Sequence, residues 1–413
     1  MDRVHKGGVV IIGAGLSGTA LALALDQKSI PCRIYEARSA DADVLTSGVV
    51  LTPNGCRVLD EIGVLGRIEA KSFLFEHRIN QTISTRTISF HDTKNYHAYR
   101  LYRLALLQEM KRMLAEKSVP VYYDAKFEKV ISDTSDVVTF QVDGKMEHAA
   151  ILIGSDGIHS TLRRYLTDLI PTYTGIFCVY GHILTSSVNW PDKEFSATSC
   201  TILGKPGSLF MVPEEADGVT LMVGTQFPHP EQGREGWQTL AASPESLVTL
   251  LQRDYDQWHD TARHILDQLC SRSNRLLSWP FYTMPKLPSW SSSSGNVIII
   301  GDAAHAMPAS SGQGFNQALE DAYSLARLIS VDWTPEKRPL GLETWQSWRQ
   351  TKIDRVLLMT QATNLKRSAE ETRQPSTTSA GAESARLDGT RWLFDIDLNG
   401  FEARLAEIGF NVT

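Results

Sequence analysis

The length and composition of the chain exclude several classes of protein. At 413 residues it has room for about two to three structural units, which excludes a single small binding module. Apolar residues make up 42% and charged residues 21%, as in an ordinary globular protein. With 47 acidic against 41 basic residues the net charge is −6, so no global positive field favours nucleic acid or anionic lipid.

The cysteines indicate the cellular compartment. They are odd in number and scattered, without any C-x-x-C pair. A disulfide framework or a zinc site is therefore not expected, and a reducing, cytoplasmic location is predicted. The five cysteines are Cys32, Cys56, Cys178, Cys200 and Cys270.

The first motif occupies residues 9–36. A β-branched run at Val9–Ile12 predicts a strand, the cluster G-A-G-L-S-G follows it, and residues 16–25 suit a tightly packed helix. A second strand is predicted over residues 32–36. The four parts make one βαβ unit, with which a parallel, doubly wound sheet begins.

The glycine cluster fits the G-x-G-x-x-G pattern of dinucleotide binding. Gly13 permits the tight turn, Gly15 lets a pyrophosphate approach the backbone, and Gly18 lets helix and strand pack closely. The N-terminus of the helix adds unpaired N–H donors and a partial positive charge. Glu36, at the end of the second strand, can accept hydrogen bonds from both hydroxyls of an adenosine ribose.

The same segment imitates a secretory signal. Arg3 and Lys6 precede an uncharged run over residues 9–25 that contains the tripeptide A-L-A. Three glycines so close together make a poor apolar helix, however, and cleavage after Ala24 would discard the phosphate loop while keeping Glu36. Secretion is therefore not expected.

The spacing of apolar residues changes along the middle of the chain. Residues 100–117 predict a helix with Leu104, Leu107 and Leu114 on one stripe. Over residues 173–227 the period becomes two, with glycine and proline turns, which predicts a mainly antiparallel sheet. Individual strands are predicted over residues 119–123, 137–142, 149–153, 196–203, 208–212 and 219–226.

The last third of the chain returns to the first pattern. Residues 297–300 predict a buried strand, and apolar residues at helical spacing follow over residues 315–329. Residues 345–365 predict a further helix. Residues 366–389, rich in Ser, Thr, Glu and Ala, are predicted to be a mobile linker, and residues 392–410 a final docked segment.

Two further motifs follow predicted buried strands. In the second motif, residues 150–163, a strand delivers the turn Asp156-Gly157, with Arg163 one helical turn later; alone, this could be an ordinary strand–helix connection. In the third, residues 295–322, a strand presents Asp302, and a glycine-rich loop leads into a long helix. Such an arrangement can bind a polyol through the carboxylate while the helix N-terminus faces an anion.

Together the motifs resemble the class A flavoprotein monooxygenases of the para-hydroxybenzoate and salicylate hydroxylase type. They follow the family's order from residue 9 to about residue 330, and R-L-A-L-L at residues 103–107 resembles its flavin-contact helix. G-V-V-L-T-P-N at residues 48–54 is similar to the family's loop beside the isoalloxazine. W-L-F-D-I-D at residues 392–397 is like a common C-terminal signature. Four ordered motifs are more specific than any single one.

The resemblance implies an α/β fold with a discontinuous Rossmann-like domain that binds FAD and NAD(P)H. An inserted, mainly antiparallel β-sheet domain would bind the substrate. The FAD-binding domain is expected over residues 1–172 and 281–335, with an excursion into the substrate domain near residues 75–98. The substrate domain is expected over residues 173–280, and the C-terminal helices and tail over residues 336–413.

The resemblance also implies a cofactor site. The phosphate loop would cradle the FAD pyrophosphate, Arg103 would reach the pyrophosphate and ribityl region, and Asp302 would bind a ribityl hydroxyl. The Asp156 turn would serve both FAD and the transient nicotinamide cofactor, and the loop over residues 308–316 would cover the flavin ring. The cofactor-binding residues implied are Gly13, Gly15, Gly18, Glu36, Gly48, Val49, Arg103, Asp156, Asp302, Pro308, Gly312, Gly314, Phe315 and Asn316.

The chemistry implied is monooxygenation. NAD(P)H would reduce the flavin, O2 would add at its C4a atom, and the hydroperoxide would hydroxylate or epoxidise an aromatic or electron-rich hydrophobic small molecule. Secondary metabolism is the expected setting, without nucleic acid or stable membrane insertion. A flavoprotein oxidase or dehydrogenase without oxygen insertion, and a flavin-bound interaction protein without turnover, stay open as alternatives.

A catalytic base is sought on the inserted sheet. Tyr180 and His182 lie two residues apart and therefore share one face of a strand, although an ordinary strand would show the same pattern. Many relatives place arginine where Tyr180 stands, so the role of that arginine does not carry over. His305 is interpreted as a structural member of the third motif, and no metal site is expected because no second His or Cys lies at ligand spacing.

Overall fold

The computed structural model describes eight stretches of the chain. They are residues 7–42, 47–75, 77–81, 85–89, 96–190, 199–331, 333–367 and 392–411. The predicted linker at residues 366–389 lies outside the described residues from residue 368 onward.

The strands are distributed from the N-terminus to residue 299. They are β1 (Val9–Ile12), β2 (Cys32–Tyr35), β3 (Gly48–Leu51), β4 (Phe73–Phe75), β5 (His77–Gln81), β6 (Thr85–Ser89), β7 (Ala98–Tyr102), β8 (Val121–Tyr122), β9 (Phe127–Asp133), β10 (Val138–Val142), β11 (Lys145–Ala149), β12 (Ile151–Gly154), β13 (Thr172–Leu184), β14 (Ser199–Gly204), β15 (Gly207–Pro213), β16 (Thr220–Pro228), β17 (Leu277–Thr283) and β18 (Val297–Ile299).

The helices fall between these strands and after them. They are α1 (Leu16–Gln27), α2 (Pro53–Glu61), α3 (Leu65–Ile68), α4 (Arg103–Glu116), α5 (Arg163–Leu166), α6 (Arg234–Ala241), α7 (Pro244–Leu251), α8 (Asp260–Cys270), α9 (Asp302–His305), α10 (Gly314–Ser330), α11 (Arg338–Arg367) and α12 (Leu398–Glu407). Among the described residues, none of the helices is long and apolar enough to cross a membrane.

A five-stranded parallel sheet forms the first layer of the fold. Its order is β18-β12-β1-β2-β8, and every neighbouring pair is parallel. Every residue of β1 and β12 is buried, as expected for central strands of a sheet covered on both faces. Helix α1 packs against α4 and α10 on this sheet. The βαβ unit predicted from residues 9–36 is confirmed.

A seven-stranded sheet forms the second layer. Its order is β17-β13-β16-β15-β14-β5-β6, and all its pairs are antiparallel except β14 with β5. Side chains alternate between two faces along each strand. On one face Val179, Leu209 and Val223 form a core with Leu266 and Leu269 of α8. The opposite face carries Tyr180, Met222 and Phe210, and contacts the three-stranded sheet β3-β7-β4.

Several predicted elements were wrong in detail. The helix predicted over residues 100–117 begins at Arg103, because residues 98–102 pair with both β3 and β4 as strand β7. Its buried face is made by Leu106, Met110, Met113 and Leu114, whereas Leu104 and Leu107 are only partly buried.

The middle of the chain also contains elements that the pattern did not predict. Strand β9 was missed, because most of its outward residues are polar and only Phe127 is buried. Helices α6, α7 and α8 fall inside the stretch expected to be mainly sheet, where they are short and cover one face of it. The predicted helix over residues 345–365 is longer, from Arg338 to Arg367.

Candidate active site

The phosphate loop has the geometry of an anion site. Gly13 adopts φ +104°, a conformation that favours glycine, and a Cβ on Gly18 would lie 2.0 Å from the Gly13 carbonyl oxygen. A Cβ on Gly15 would meet nothing within 4 Å, so the space above the loop is open. Helix α1 begins there with no side-chain cap and no acidic residue in its first turn. Its N–H groups are therefore free to bind an anion.

Glu36 is held at the edge of this loop. The residue is buried, and its Oε2 accepts a hydrogen bond from the Ala14 amide at 2.8 Å. Oε1 accepts hydrogen bonds from the backbone and side chain of Arg38, at 3.0 and 3.2 Å. The structure thus brings the predicted ribose ligand and the predicted phosphate loop together.

The second motif adjoins the first. The Ser155 hydroxyl donates to the carbonyl oxygens of Ile12 and Gly13, at 3.0 and 2.9 Å. Oδ2 of Asp156 accepts hydrogen bonds from the amides of Thr161 and Leu162, whereas its Oδ1 is buried without a partner among the described residues. A buried carboxylate oxygen without a donor is costly, so this atom is suited to a bound group that supplies one.

Asp302 lies at the opening of the third motif. The preceding Gly301 adopts φ +59°, and its amide donates to Asp321 at 3.0 Å. Although the residue is exposed, desolvation by the surrounding protein raises the pKa of its carboxyl, against the opposing charges of His305 and Arg103. Asp302 Oδ1 also lies near Gly314, at the first turn of α10. The carboxylate therefore lies near the first turn of α10 and within electrostatic range of Arg103.

The loop over residues 308–316 is fixed against strand β3. Asn316 is fully buried: its Oδ1 accepts from the Thr52 amide, and its Nδ2 donates to the carbonyl oxygens of Val50 and Gly312, all at 3.0 Å. Both N–H donors of this side chain are used within the protein. Asn316 therefore shapes the predicted flavin loop, and its side chain has no further donor to offer a ligand.

The remaining predicted cofactor-binding residues differ in how far their side chains are exposed. The Val49 side chain is buried in the main core, so only its backbone can face a ligand. Pro308 is buried, Phe315 is half-buried, and Gly312 is exposed with φ +62°. Pro308, Gly312 and Phe315 lie along one stretch that begins at Asp302.

A buried charge cluster lies beneath this loop. Glu320 and Asp321 of α10 face Arg349 and Lys352 of α11, with Arg349 Nε 2.8 Å from Asp321 Oδ1 and Lys352 Nζ 2.7 Å from Glu320 Oε1. Nε2 of His305 lies 2.5 Å from Asp321 Oδ2. Burial alone would raise the pKa of Asp321, but the charges of His305 and Arg349 lower it to about 2. The sequence motif contained both carboxylates, but their partner Arg349 was missed.

The second sheet carries an apolar wall on the face opposite α8. Gly224 pairs with Tyr180 on one side and Phe210 on the other, and a Cβ there would lie 2.5 Å from the Tyr180 Cβ and 2.8 Å from the Phe210 Cζ. Glycine is required so that both side chains can cover this strand. Met222 and Val50 pack against the same group of side chains and extend the wall.

A second buried carboxylate, Glu214, closes one end of this wall. It follows β15, is fully buried, and accepts two hydrogen bonds from the Arg100 guanidinium, both at 3.0 Å. Its Oε1 also lies 3.2 Å from His182 Nε2 and accepts from the Gly48 amide at 3.2 Å. Sequence reasoning missed Glu214 and Arg100, because no local spacing connects them: they are 114 residues apart along the chain.

The protonation states along this wall differ. Burial alone would raise the pKa of Glu214, but the charge of Arg100 and the hydrogen bonds from His182 and Arg100 hold it below its usual range. Burial raises the pKa of Tyr180 far above its usual range, and raises that of Tyr102 to about 12. Glu214 is therefore ionised at neutral pH, and both tyrosines keep their phenolic protons.

The fold and the site together define a nucleotide-binding oxidoreductase of the α/β class. A family profile described as FAD binding domain matches residues 6–360. The chain belongs to this family and, within it, to the class A flavoprotein monooxygenases, as the motifs predicted. The free N-terminus of α1, Glu36 and the unpartnered Asp156 Oδ1 fit FAD.

Known relatives are similar over most of their length. The 3-amino-4-hydroxybenzoate 2-monooxygenase PtnB3 of Streptomyces platensis is 26% identical over 335 residues, which cover 79% of this chain and 80% of the relative. Salicylate hydroxylase of Pseudomonas putida is 27% identical, covering 96% of this chain and 94% of its own. A solved salicylate hydroxylase substrate complex shares the fold, with a TM-score of 0.77, 20% identity and coverage of 96% and 97%.

The enzyme class follows from these comparisons. The chain is an FAD-dependent monooxygenase with NAD(P)H as the electron donor. The alternative of an oxidase without oxygen insertion is not supported, because the relatives are named as monooxygenases.

Proposed function

We propose that the chain hydroxylates a hydrophobic aromatic small molecule held against the wall formed by Tyr180, Phe210 and Met222. The observation that carries this proposal is the position of the wall. Its strands contact Val50 on β3, the strand that Asn316 ties to the predicted flavin loop. A flat apolar molecule on the wall would therefore lie beside the flavin ring.

We propose that the phosphate loop, Glu36 and Asp156 hold the nucleotide part of FAD, and that Arg103 and Asp302 hold the ribityl chain. When bound, the flavin supplies the redox chemistry and the activation of O2. Gly48, Val49 and the stretch from Pro308 to Asn316 then surround the ring, where the N-terminus of α10 favours negative charge. The uncapped helix α1 and the open space above Gly15 support this assignment.

Tyr180 and His182 are proposed to act on the substrate from the same strand face. The high pKa of Tyr180 suits a hydrogen-bond donor and excludes it as a base at neutral pH. The His182 side chain is 26% exposed and can accept a proton from a group on the ring.

The proposed organisation has two parts. Residues 1–172 and 281–335 would form the FAD-binding part, and residues 173–280 the substrate-binding part, joined by an excursion near residues 75–98. The pairing of β5 with β14 supports this excursion. A cytoplasmic location is also proposed, supported by the five free cysteines.

The test is a substrate screen of the purified holoprotein. Salicylate, 3-amino-4-hydroxybenzoate, 6-hydroxynicotinate and a set of indoles and terpenoids would be added to enzyme, NAD(P)H and O2. We expect at least one aromatic compound to stimulate NAD(P)H oxidation and to gain one oxygen atom by mass spectrometry. Stimulated oxidation in which all the O2 appears as hydrogen peroxide, for every compound, would contradict hydroxylation.

The cofactor assignment is tested with Asp302→Ala. This variant loses the carboxylate beside Arg103 and the first turn of α10, so we expect it to purify with much less FAD and a weak visible spectrum. Asp354→Asn, in an exposed ion pair with Lys286, is the control and should keep its FAD. Full flavin content in Asp302→Ala would overturn the role of the third motif.

A further inference from the structure

Glu214 gathers donors from three separate strands. Arg100 belongs to β7, Gly48 to β3 and His182 to β13. Glu214 itself directly follows β15. Oε1 serves three of these contacts and Oε2 takes the remaining bond from Arg100. Such a carboxylate has little acceptor capacity left, and its buried charge is already balanced by Arg100. Its contact with His182 therefore fixes the imidazole.

The contact determines which ring nitrogen of His182 carries a proton. Glu214 is ionised and can only accept, so His182 Nε2 must donate. In the neutral imidazole the lone pair then stands on Nδ1. The anchored nitrogen points at a fully buried carboxylate, whereas the side chain as a whole is 26% exposed. One nitrogen of the ring is thus bonded to a buried group, while part of the side chain is exposed.

Charged and titratable groups surround His182 on several sides. The charged and titratable groups that face it are Glu214 and Arg100, the ring of Tyr102 at 6.3 Å, Tyr180 on the same strand face, and Arg272, which donates to the His182 carbonyl oxygen. Both tyrosines are neutral, and the carboxylate lies in direct contact with Nε2. An imidazolium formed at this position would be stabilised by Glu214.

We propose that Glu214 is a positioning residue that holds His182 with Nδ1 as the proton acceptor for an ionisable ring substituent of the substrate. Resting on the proposed function, this requires an aromatic substrate that carries an ionisable O–H or N–H group. The O–H or N–H bond of the substituent breaks and the proton forms an N–H bond at Nδ1. The electron pair stays on the substrate and enriches the ring that is to be oxygenated. The proton returns to the product or passes to solvent.

The same carboxylate places this base relative to the flavin. Glu214 Oε1 accepts from the Gly48 amide, and a Cβ at Gly48 would lie 2.1 Å from Oε2. Strand β3, proposed to lie beside the flavin ring, is therefore bonded to the same atom as the base. A substituent bound at Nδ1 would hold its ring at a fixed distance from the oxidant, which sets the carbon that is hydroxylated.

A first experiment reads the tautomer without turnover. Holoenzyme labelled with nitrogen-15 in histidine would be compared with the variants His182→Gln, which identifies the resonance, and Glu214→Gln. We expect a protonated Nε2 and an unprotonated Nδ1 in the native enzyme, and loss of this preference in Glu214→Gln. A native enzyme with a protonated Nδ1 and a bare Nε2 overturns the proposal, whatever the substrate screen finds.

A second experiment is a double-mutant cycle on kcat with 3-amino-4-hydroxybenzoate as the probe. We expect about a 100-fold loss or more for His182→Gln, at least about tenfold for Glu214→Gln, and little further loss when both are combined. Glu116→Gln is the matched control, since that exposed carboxylate also pairs with two arginines, Arg67 and Arg112. An equal loss from Glu214→Gln in both backgrounds would mean that Glu214 is merely structural.

A third comparison tests the substrate class. The methyl ether 3-amino-4-methoxybenzoate has no phenolic proton, so native enzyme and His182→Gln should process it at similar rates. Native enzyme that hydroxylates ether and phenol equally fast overturns the role of Nδ1. Absence of NAD(P)H stimulation by every compound in the screen would instead count against the proposed function, while the tautomer measurement still decides the position of the proton.

Discussion

Two clusters of buried carboxylates in this molecule have similar ion pairs with arginine but different roles. Beneath the predicted flavin loop, Glu320 and Asp321 are paired with Arg349, and all three are sealed from solvent. At the face of the second sheet, Glu214 is equally buried and is also paired with an arginine. Its third partner, His182, is partly exposed. A sealed cluster can only hold helices together, whereas a cluster with one exposed member can exchange a proton. Exposure of one partner, more than the number of charges, distinguishes the two.

The largest effect on stability is expected from Arg349→Met, which removes the cation of the buried Glu320–Asp321–Arg349 cluster. It leaves two carboxylates buried without their main cation, so we expect a loss of about 3–5 kcal/mol in the free energy of unfolding. Urea unfolding of the holoprotein measures this. Lys286→Met, in an exposed pair with Asp354, should be indistinguishable from the native chain. A comparably small effect of Arg349→Met would remove the distinction between the two clusters.

A smaller loss in the free energy of unfolding is expected as the pH is lowered. The pKa of Asp321 is lowered to about 2 from an ordinary 3.8, so its stabilisation is complete above pH 3.8 and is lost as the pH falls toward 2. The loss amounts to about 2 kcal/mol. Unfolding free energies measured from pH 5 to pH 2 should therefore fall more steeply for the native chain than for Asp321→Asn. Parallel curves for the two proteins would contradict the lowered pKa.

The smallest effect is expected on kcat/KM, from a change at Tyr180 near the Glu214 cluster. Tyr180→Phe keeps the ring that covers Gly224 and removes only the hydroxyl, so FAD content and stability should be retained. One lost hydrogen bond of about 0.5–1.5 kcal/mol corresponds to a decrease in kcat/KM of about 2- to 12-fold, measured with 3-amino-4-hydroxybenzoate. A loss as large as that of His182→Gln would make Tyr180, rather than His182, the essential group.

The parts of the candidate site also differ in how far the sequence could predict them. The phosphate loop was predicted because its strand, glycines and helix are contiguous, so local rules suffice. Asp302 was predicted for the same reason. Glu214 has partners 32, 114 and 166 residues away along the chain, and no spacing rule connects such positions. Only the pairing of β7 with β3, and their contact with the second sheet, brings them together.

The wrong boundaries have a similar cause. Residues 100–102 continue a helical pattern of apolar residues, but pairing with two neighbouring strands made them part of β7 instead. Helices α6 to α8 were missed because each is short and half polar. Their apolar side chains matter only against the sheet that they cover, which a single sequence does not reveal.

The excursion formed by β5 and β6 has a consequence for engineering. These strands come from the stretch between β4 and β7, yet they extend the second sheet beyond β14. A fragment covering residues 173–280 alone would lack these strands and would expose the edge of β14. The unpaired backbone donors and acceptors on that edge would promote aggregation. Chimeras that exchange substrate specificity between relatives should therefore transplant residues 77–89 together with the sheet.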